Sequence, residues 1–425
     1  MSTKNLIKYS KTVLKDGLRI ISENIPSSRS ISIGVWIDIG SRNEHRSENG
    51  ISHFIEHMLF KGTKNRSAKK IAASLESIGG NINAFTSREQ TCYLAVILDE
   101  HLEQAVDVLS DILMNSTLTS KNIEREKSVV TEEIHEVREN PSDLVHEHFS
   151  ENFWQNQPLG RSILGTEENV LSFSRKAIKK YILRSYLSGR VVIAAAGNVS
   201  HQKLVGLVKK KFNFPEGIGN RGESAVSPTS FTQNVYTNKS AQNHLCLGFP
   251  GIQFNNPDRY NLLALYTYLG SGMSSVLFQK IREEKGMAYS IYAFADYFRD
   301  NGMMGIYFGT DKQHLPDALE TTLKELRKMK KTRLPKSKLI NIKAQIKGHL
   351  TLALESTNGR MARMGRQELL GNEYIPLDKA LKDIDRITSN NILEIARKIF
   401  VSDGMTITSL GPGTKEDLDK VDYSI

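Results

Sequence analysis

The sequence predicts an α+β chain of two homologous domains, each a mainly antiparallel sheet with helices packed on one face. Three observations carry this expectation: a length of 425 residues, an order of strand-like and helical segments that occurs twice, and a Gly/Pro/Ser-rich stretch between the two occurrences. The length exceeds one ordinary core and points to two domains of roughly 200 residues each. A hydrophobic fraction of 39% and a charged fraction of 24% are those of a globular chain. No run of 18 apolar residues occurs, so no membrane span is expected.

In the first half, Leu18–Ile25 and Ile31–Ile39 read as strands, because apolar residues alternate or run without a break. Helical spacing follows around His53–Leu59 and over Ala68–Ile78. Next come Gly79–Thr86, a strand through Cys92–Leu98 and a helix over His101–Met114. The second half repeats the order. His244–Phe249 is strand-like, Arg259–Leu269 and Ser275–Glu284 are helical, Gly286–Phe294 precedes a strand over Gly302–Gly309, and Leu315–Met329 is a helix. Between the halves, 213–228 is rich in Gly, Pro and Ser and reads as a connection. The expected boundaries are 1–215 for the first domain, 216–235 for the linker and 236–425 for the second.

Net charge is +10, yet the Lys and Arg residues are scattered along helical patterns and no nucleic-acid motif is present. A solvated surface is the favoured reading, with no nucleic-acid and no membrane partner. Cys92 and Cys246 each stand alone in an apolar, strand-like segment, which suits buried free thiols of a reducing compartment. The first ten residues have no apolar core of signal-peptide length, so a cytoplasmic bacterial protein is expected, with the mitochondrial matrix as the alternative.

Chemistry concentrates in His53-Phe-Ile-Glu56-His57, an H-x-x-E-H sequence in an apolar run. Histidines at i and i+4 share one helix face, and Glu56 lies beside them. Two imidazoles and a carboxylate are what a metal-dependent hydrolase needs: ligands for the ion and a base for a proton. The order is the reverse of H-E-x-x-H, and it occurs only in the first half.

A third ligand is required. Over 122–137, Ile123, Val130, Ile134 and Val137 form an apolar stripe at helical spacing. Glu126 and Glu133 fall inside that stripe, two turns apart, whereas Glu124, Glu132 and Glu139 fall on the polar side. Carboxylates on a core-facing stripe need a cation or a metal to compensate them. Periodicity does not choose between the two.

Gly40-Ser-Arg-Asn-Glu44, Gly50, His53–Thr63, Asn83-Ala-Phe-Thr86 and the Glu126/Glu133 helix together resemble the pitrilysin family of zinc metallopeptidases, in its short, processing-peptidase-like branch. The resemblance covers about residues 12 to 412. It implies one Zn²⁺ per chain on His53, His57 and Glu133, the last being 76 positions beyond His57, where the family has its third ligand. It implies Glu126 as a group behind the ligands and Glu56 as the base. It also implies an edge strand at Asn83, Ala84, Phe85 and Thr86 to which extended substrate adds. In the second half, Arg282 and Tyr289 have the spacing of a family pair that contacts peptide, with Tyr289 also placed to help hold the oxyanion. Val276 departs locally from relatives that have Arg. Ser274 or Ser275 can cap that helix and Gly286 can end it.

The resemblance implies a zinc endopeptidase acting on peptides or extended polypeptide, in a chamber closed by dimerisation. A homodimer suffices because both motifs lie in one chain, and a heterodimer with a related subunit is the alternative. The alternative function is a catalytically silent, chamber-forming subunit; such members lose the zinc motif, which this chain keeps. Among the other histidines, His146 and His148 read as surface residues, His135 as solvated and His244 as a hydrogen-bonded structural residue. Phe60 and Phe85 read as core more readily than as a substrate subsite.

Overall fold

The computed structural model of the chain describes residues 7–219, 224–371 and 373–425. Residues 220–223 of the expected linker and the first six residues lie outside the described ones. The chain divides into two compact units, of which one comprises Met1–Ile134, Arg161–Glu223 and Thr351–Tyr374, and the other His135–Gly160, Ser224–Leu350 and Ile375–Ile425. One break between the units falls between 223 and 224. Each unit also takes in a segment from the other half of the sequence, which no local pattern signals.

The sheet of the first unit has six strands: β1 (Lys8–Val13), β2 (Arg19–Asn24), β3 (Ser30–Ile37), β4 (Asn81–Thr86), β5 (Thr91–Leu98) and β6 (Val191–Gly197). Their order is β1-β2-β6-β3-β5-β4, antiparallel throughout except for the parallel β2–β6 pair. Alternation decides the faces. In β3, Ile31, Ile33, Val35 and Ile37 enter the main core, whereas Trp36 turns to the other side. Helix α1 (Ile51–Leu59) and helix α2 (Ser120–Glu139) cover the main-core face, together with Ala68–Glu76, Leu102–Asn115, Arg175–Ser185 and His201–Lys211. Strand β4 is an edge: it pairs with β5 and its residues alternate between exposed and half-buried.

The second unit repeats this plan with β7 (Thr232–Thr237), β8 (Asn243–Pro250), β9 (Ala288–Tyr297), β10 (Gly302–Thr310) and β11 (Thr406–Gly411), in the order β7-β11-β8-β10-β9. The β7–β11 pair is parallel and the rest are antiparallel. Leu245, Leu247 and Phe249 of β8 pack with Ile306 and Phe308 of β10 under the helices Arg259–Gly270, Leu315–Lys331 and Ser389–Ile399.

The expectation of helices on one face needs an addition. Among the described residues, the opposite face of each sheet carries an α-helix from the segment drawn from the other half of the chain. Thr357–Arg366 lies on the first sheet, with Met361 and Met364 packed against Trp36, Cys92 and Val192. Pro141–Phe153 lies on the second, with Val145, Phe149 and Phe153 against Cys246, Met303 and Tyr307. A glycine in the strand beneath permits each close approach. A Cβ at Gly34 would stand 2.6 Å from Met361 Sδ, and one at Gly248 2.2 Å from a Phe149 ring carbon.

Three local expectations change. The segment expected as an α-helix over Ser275–Glu284 contains a π-helix, Phe278–Glu283. Ser275 caps nothing, because its hydroxyl is buried without a partner among the described residues. Gly286 does end the segment, at φ 62°, with the Met287 N–H bonded to Ile281 O at 2.8 Å. His146 and His148 leave the surface for the aromatic packing of the second unit: His146 Nε2 lies 2.8 Å from the Tyr292 hydroxyl, and His148 stacks on Tyr236. His244 holds the Tyr307 hydroxyl at 2.8 Å, as a structural residue would. Both cysteines are buried and free. Among the described residues, no helix is long and apolar enough to cross a membrane.

Candidate metal centre

Helix α1 has a strongly one-sided pattern. Phe54, Ile55, Met58 and Leu59 are buried in the core, which turns His53, Glu56 and His57 to its margin. The two imidazole rings lie 4.6 Å apart, centre to centre. Helix α2 passes beside them and brings two carboxylates at different depths. Glu126 is 1% exposed and Glu133 side-chain exposure is 36%, so the pair that periodicity leaves equivalent is separated by burial.

Glu126 Oε1 lies 2.9 Å from His57 Nδ1 and 2.9 Å from Lys61 Nζ. A carboxylate only accepts, so Nδ1 of His57 carries the hydrogen and a neutral ring keeps its lone pair on Nε2. That Nε2 lies 3.7 Å from Glu133 Oε2, and His53 Nε2 lies 3.7 Å from the same oxygen. These separations exceed a hydrogen bond. They are close to the edge, about 3.4 Å, of a tetrahedron built on zinc–nitrogen and zinc–oxygen distances. Among the described residues, His53, His57 and Glu133 are the one group of three or more such side chains whose donor atoms lie within 4.8 Å of one another. Two imidazoles and one carboxylate therefore fit a single zinc ion, in the three-donor set of hydrolytic sites. His53 Nδ1 is buried without a protein partner among the described residues, so Glu126 orients only one of the two rings.

Burial pushes the His53 imidazole down to about 4, helped by the charge of His57, which keeps it a neutral donor. Burial acts in the same direction on His57, but the Glu126 hydrogen bond and the charges of Glu133, Glu126 and Glu56 outweigh it and its pKa is raised. Burial would raise Glu126; the bonds from His57 and Lys61 overcome that and hold it below the ordinary carboxylate value. Glu56 moves upward, chiefly through burial, against the Thr86 hydrogen bond and the His57 charge. A carboxyl shifted toward neutrality is suited to take up and return a proton.

Thr86 was expected as a backbone contact on the edge strand. Its side chain does more: Oγ1 donates to Glu56 Oε2 at 2.6 Å, tying the end of β4 to α1. Phe85 is partly exposed and meets Trp36 edge-on at 5.5 Å. Asn83 Oδ1 accepts from the Ala84 N–H at 2.8 Å. Phe60 is half-buried against the core and approaches Tyr93.

In the second unit, Arg282 and Tyr289 lie together. Arg282 Nη1 donates to Tyr289 O at 2.7 Å, and its guanidinium stands 4.7 Å from the centres of both the Phe278 and the Tyr289 rings. The Tyr289 side chain is open to solvent, with the residue 73% exposed.

Two duplicated α+β units, one of them with an H-x-x-E-H helix facing a glutamate of a second helix, define a class of zinc-protease-like proteins. Comparison with known proteins agrees. The family described as Insulinase (Peptidase family M16) matches residues 19–167, and Peptidase M16 inactive domain matches 172–346. An uncharacterized zinc protease of Bacillus subtilis, YmxG, is 42% identical over 390 residues, covering 92% of this chain and 95% of that protein. A probable mitochondrial-processing peptidase subunit beta of Arabidopsis thaliana is 34% identical over 415 residues, covering 94% of this chain and 78% of that protein. A protease from Helicobacter pylori of known crystal structure shares the fold at a TM-score of 0.90 and 23% identity, with 95% of this chain and all of that one covered. The chain belongs to peptidase family M16, the pitrilysin family that its motifs resemble.

Proposed function

We propose that this chain is a zinc-dependent endopeptidase that cuts peptides or extended polypeptide segments. The observation that carries the reading is the cluster of His53, His57 and Glu133 donor atoms with Glu56 beside it on α1. His53 Nε2, His57 Nε2 and a Glu133 oxygen would hold one Zn²⁺ per chain, and Glu126 fixes the His57 ring from behind. A zinc ion held there would supply Lewis-acid polarisation to the attacking water and the scissile carbonyl. Glu56 takes a proton from the water as its oxygen bonds to the carbonyl carbon. When the C–N bond breaks, Glu56 delivers that proton to the departing amine. Thr86 holds the Glu56 oxygen that faces β4 during both transfers. The free edge of β4, with Asn83, Ala84, Phe85 and Thr86, offers main-chain groups to an extended substrate.

Arg282 and Tyr289 serve as substrate contacts, with the Tyr289 hydroxyl donating to the developing oxyanion. In this reading the second domain supplies that pair to the zinc site of another copy, so the working species is a homodimer enclosing its substrate, in the bacterial cytoplasm. Retention of every donor and of the base argues against a silent, chamber-forming subunit. The deciding experiment measures zinc per purified chain by elemental analysis and cleavage of a quenched peptide, with Glu56→Gln as the control. About one zinc and a cleavage lost in Glu56→Gln are expected; cleavage that persists in that variant overturns the assignment.

A further inference from the structure

Glu44 takes no part in the steps above, yet it is almost wholly buried, 3% exposed, and both its carboxyl oxygens face the start of α1. Its Oε2 accepts from the Gly50 N–H at 2.7 Å and from Asn49 Nδ2 at 3.0 Å, and its Oε1 accepts from the Ser52 N–H at 2.8 Å. The helix has no cap of its own. The residue in the capping position is Gly50, which has no side chain and adopts φ 97°. The first N–H groups of a helix need an acceptor, ordinarily a Ser, Thr, Asp or Asn at that position. Here a carboxyl group six residues upstream substitutes for it; burial pushes its pKa up to about 7, against the bonds from Asn49, Ser52 and Gly50, which favour the charged form at the positive end of the helix.

The segment that carries the carboxylate, residues 44–52, is itself held from two sides, through its main chain and its neighbours. Arg161 Nη1 donates to Glu44 O at 2.7 Å, and Asn49 Nδ2 reaches Ser162 O at 2.9 Å as well as Glu44. Gly165 closes the same strap, since a Cβ there would stand 2.2 Å from Asn49 O. On the far side, Ser52 Oγ lies 2.9 Å from the Tyr181 hydroxyl. The helix so fixed has nine residues, too few to hold its own register, and His53 follows the clamped Ser52 directly.

We propose that Glu44 is a positioning residue for the metal centre: by closing the start of α1 it sets where His53 and Glu56 project toward Glu133 and Thr86. The inference rests on the zinc reading above. Displacements of about 0.5 Å or 10–20° are enough to spoil such a constellation. Glu44→Gln keeps the volume, but it removes the charge and turns an amide NH₂ toward N–H groups.

The test compares Glu44→Gln with the wild type by kcat and KM, by the rate of zinc release to a chelator, and by melting of the metal-free chain. The expected result is a kcat at least about tenfold lower with KM within twofold, equivalent to losing one good hydrogen bond to a charged group. Zinc release is expected to be at least about fivefold faster, while the metal-free chain still melts cooperatively. Glu44→Asp, which keeps the charge but retracts it by one methylene, is expected to recover part of both effects. Wild-type kcat and wild-type zinc release in Glu44→Gln overturn the proposal. Amide exchange in the metal-free wild type needs neither a variant nor zinc. The Gly50 and Ser52 N–H groups are expected to exchange more slowly than those opening Ala68–Glu76, and equal rates overturn the clamp even where Glu44→Gln does not fold. A wild-type chain that binds no zinc but protects those amides sinks the zinc reading alone.

Discussion

His57 Nδ1 and Glu126 Oε1 lie 2.9 Å apart, on the side of the ring away from Glu133. That contact fixes the ring's orientation and, in the neutral form, its tautomer, and Lys61 on the same oxygen keeps the carboxylate charged. Replacing Glu126 with Gln is expected to weaken zinc binding about 10- to 100-fold, the usual loss when such a supporting partner is removed. Competition with a chromophoric chelator measures it, and an unchanged affinity would show that the contact is packing only.

Thr86 Oγ1 sits 2.6 Å from Glu56 Oε2. Thr86→Val keeps the shape and removes the donor. A hydrogen bond to a charged group is worth about 1.5–3 kcal/mol, so kcat is expected to fall by about tenfold or more, with KM little changed. Steady-state kinetics on one peptide decides this; a raised KM at constant kcat points instead to a role in substrate binding.

Asp111 accepts from Thr63 Oγ1 at 2.7 Å, Asn65 Nδ2 at 2.6 Å, Arg66 Nη1 at 2.8 Å and Asn115 Nδ2 at 2.9 Å, pinning the turn that follows α1. Burial pushes its carboxyl up, but these bonds outweigh burial and hold it below the ordinary aspartate value. A depressed carboxyl stabilises the fold above its unfolded pKa, and the contribution is lost as pH falls through the folded one. Asp111→Asn is expected to cost about 1–3 kcal/mol at pH 7. The difference in urea midpoint between the two proteins is expected to shrink below pH about 4; a difference that grows with acid contradicts the account.

Sharing of sites between chains is tested by mixing two inactive proteins, Glu56→Gln and the double variant Arg282→Ala/Tyr289→Phe. One intact zinc site can then meet one intact Arg282/Tyr289 pair, and co-refolded mixtures are expected to recover up to about a quarter of wild-type sites, the random-pairing fraction for a C2 dimer. Mixtures that stay as inactive as their components exclude sharing.

Much of this was legible in the sequence because it is written at short range. The i, i+4 histidines, the alternating β3 and β4 and the apolar stripe of α2 all follow from the repeat of one element. Glu126 and Glu133 show where that reading stops: their phase is similar, and only burial in the folded unit tells the shielded carboxylate from the one facing both imidazoles. Glu44 lies outside the helix it caps, at a distance no capping pattern covers. His146 becomes structural because Tyr292 and Cys246, about 100 residues or more away in sequence, close around it. The π-helix at Phe278–Glu283 likewise has no periodic signature: its apolar spacing is that of an ordinary helix, and the Ser275 that reads as its cap makes no capping bond.

The borrowed helices have a consequence for the covalent continuity of the chain. A protease nick or an engineered split within 216–235 would separate Thr357–Arg366 from the sheet it covers, and Pro141–Phe153 from the other. Each fragment would expose a bare sheet face, Trp36 and Cys92 in one and Met303 and Tyr307 in the other, while carrying a stray amphipathic helix. Fragments made alone are expected to be sticky and insoluble. Made together, each holds the missing cover of its counterpart, so the two halves behave as a complementing pair rather than as independent modules.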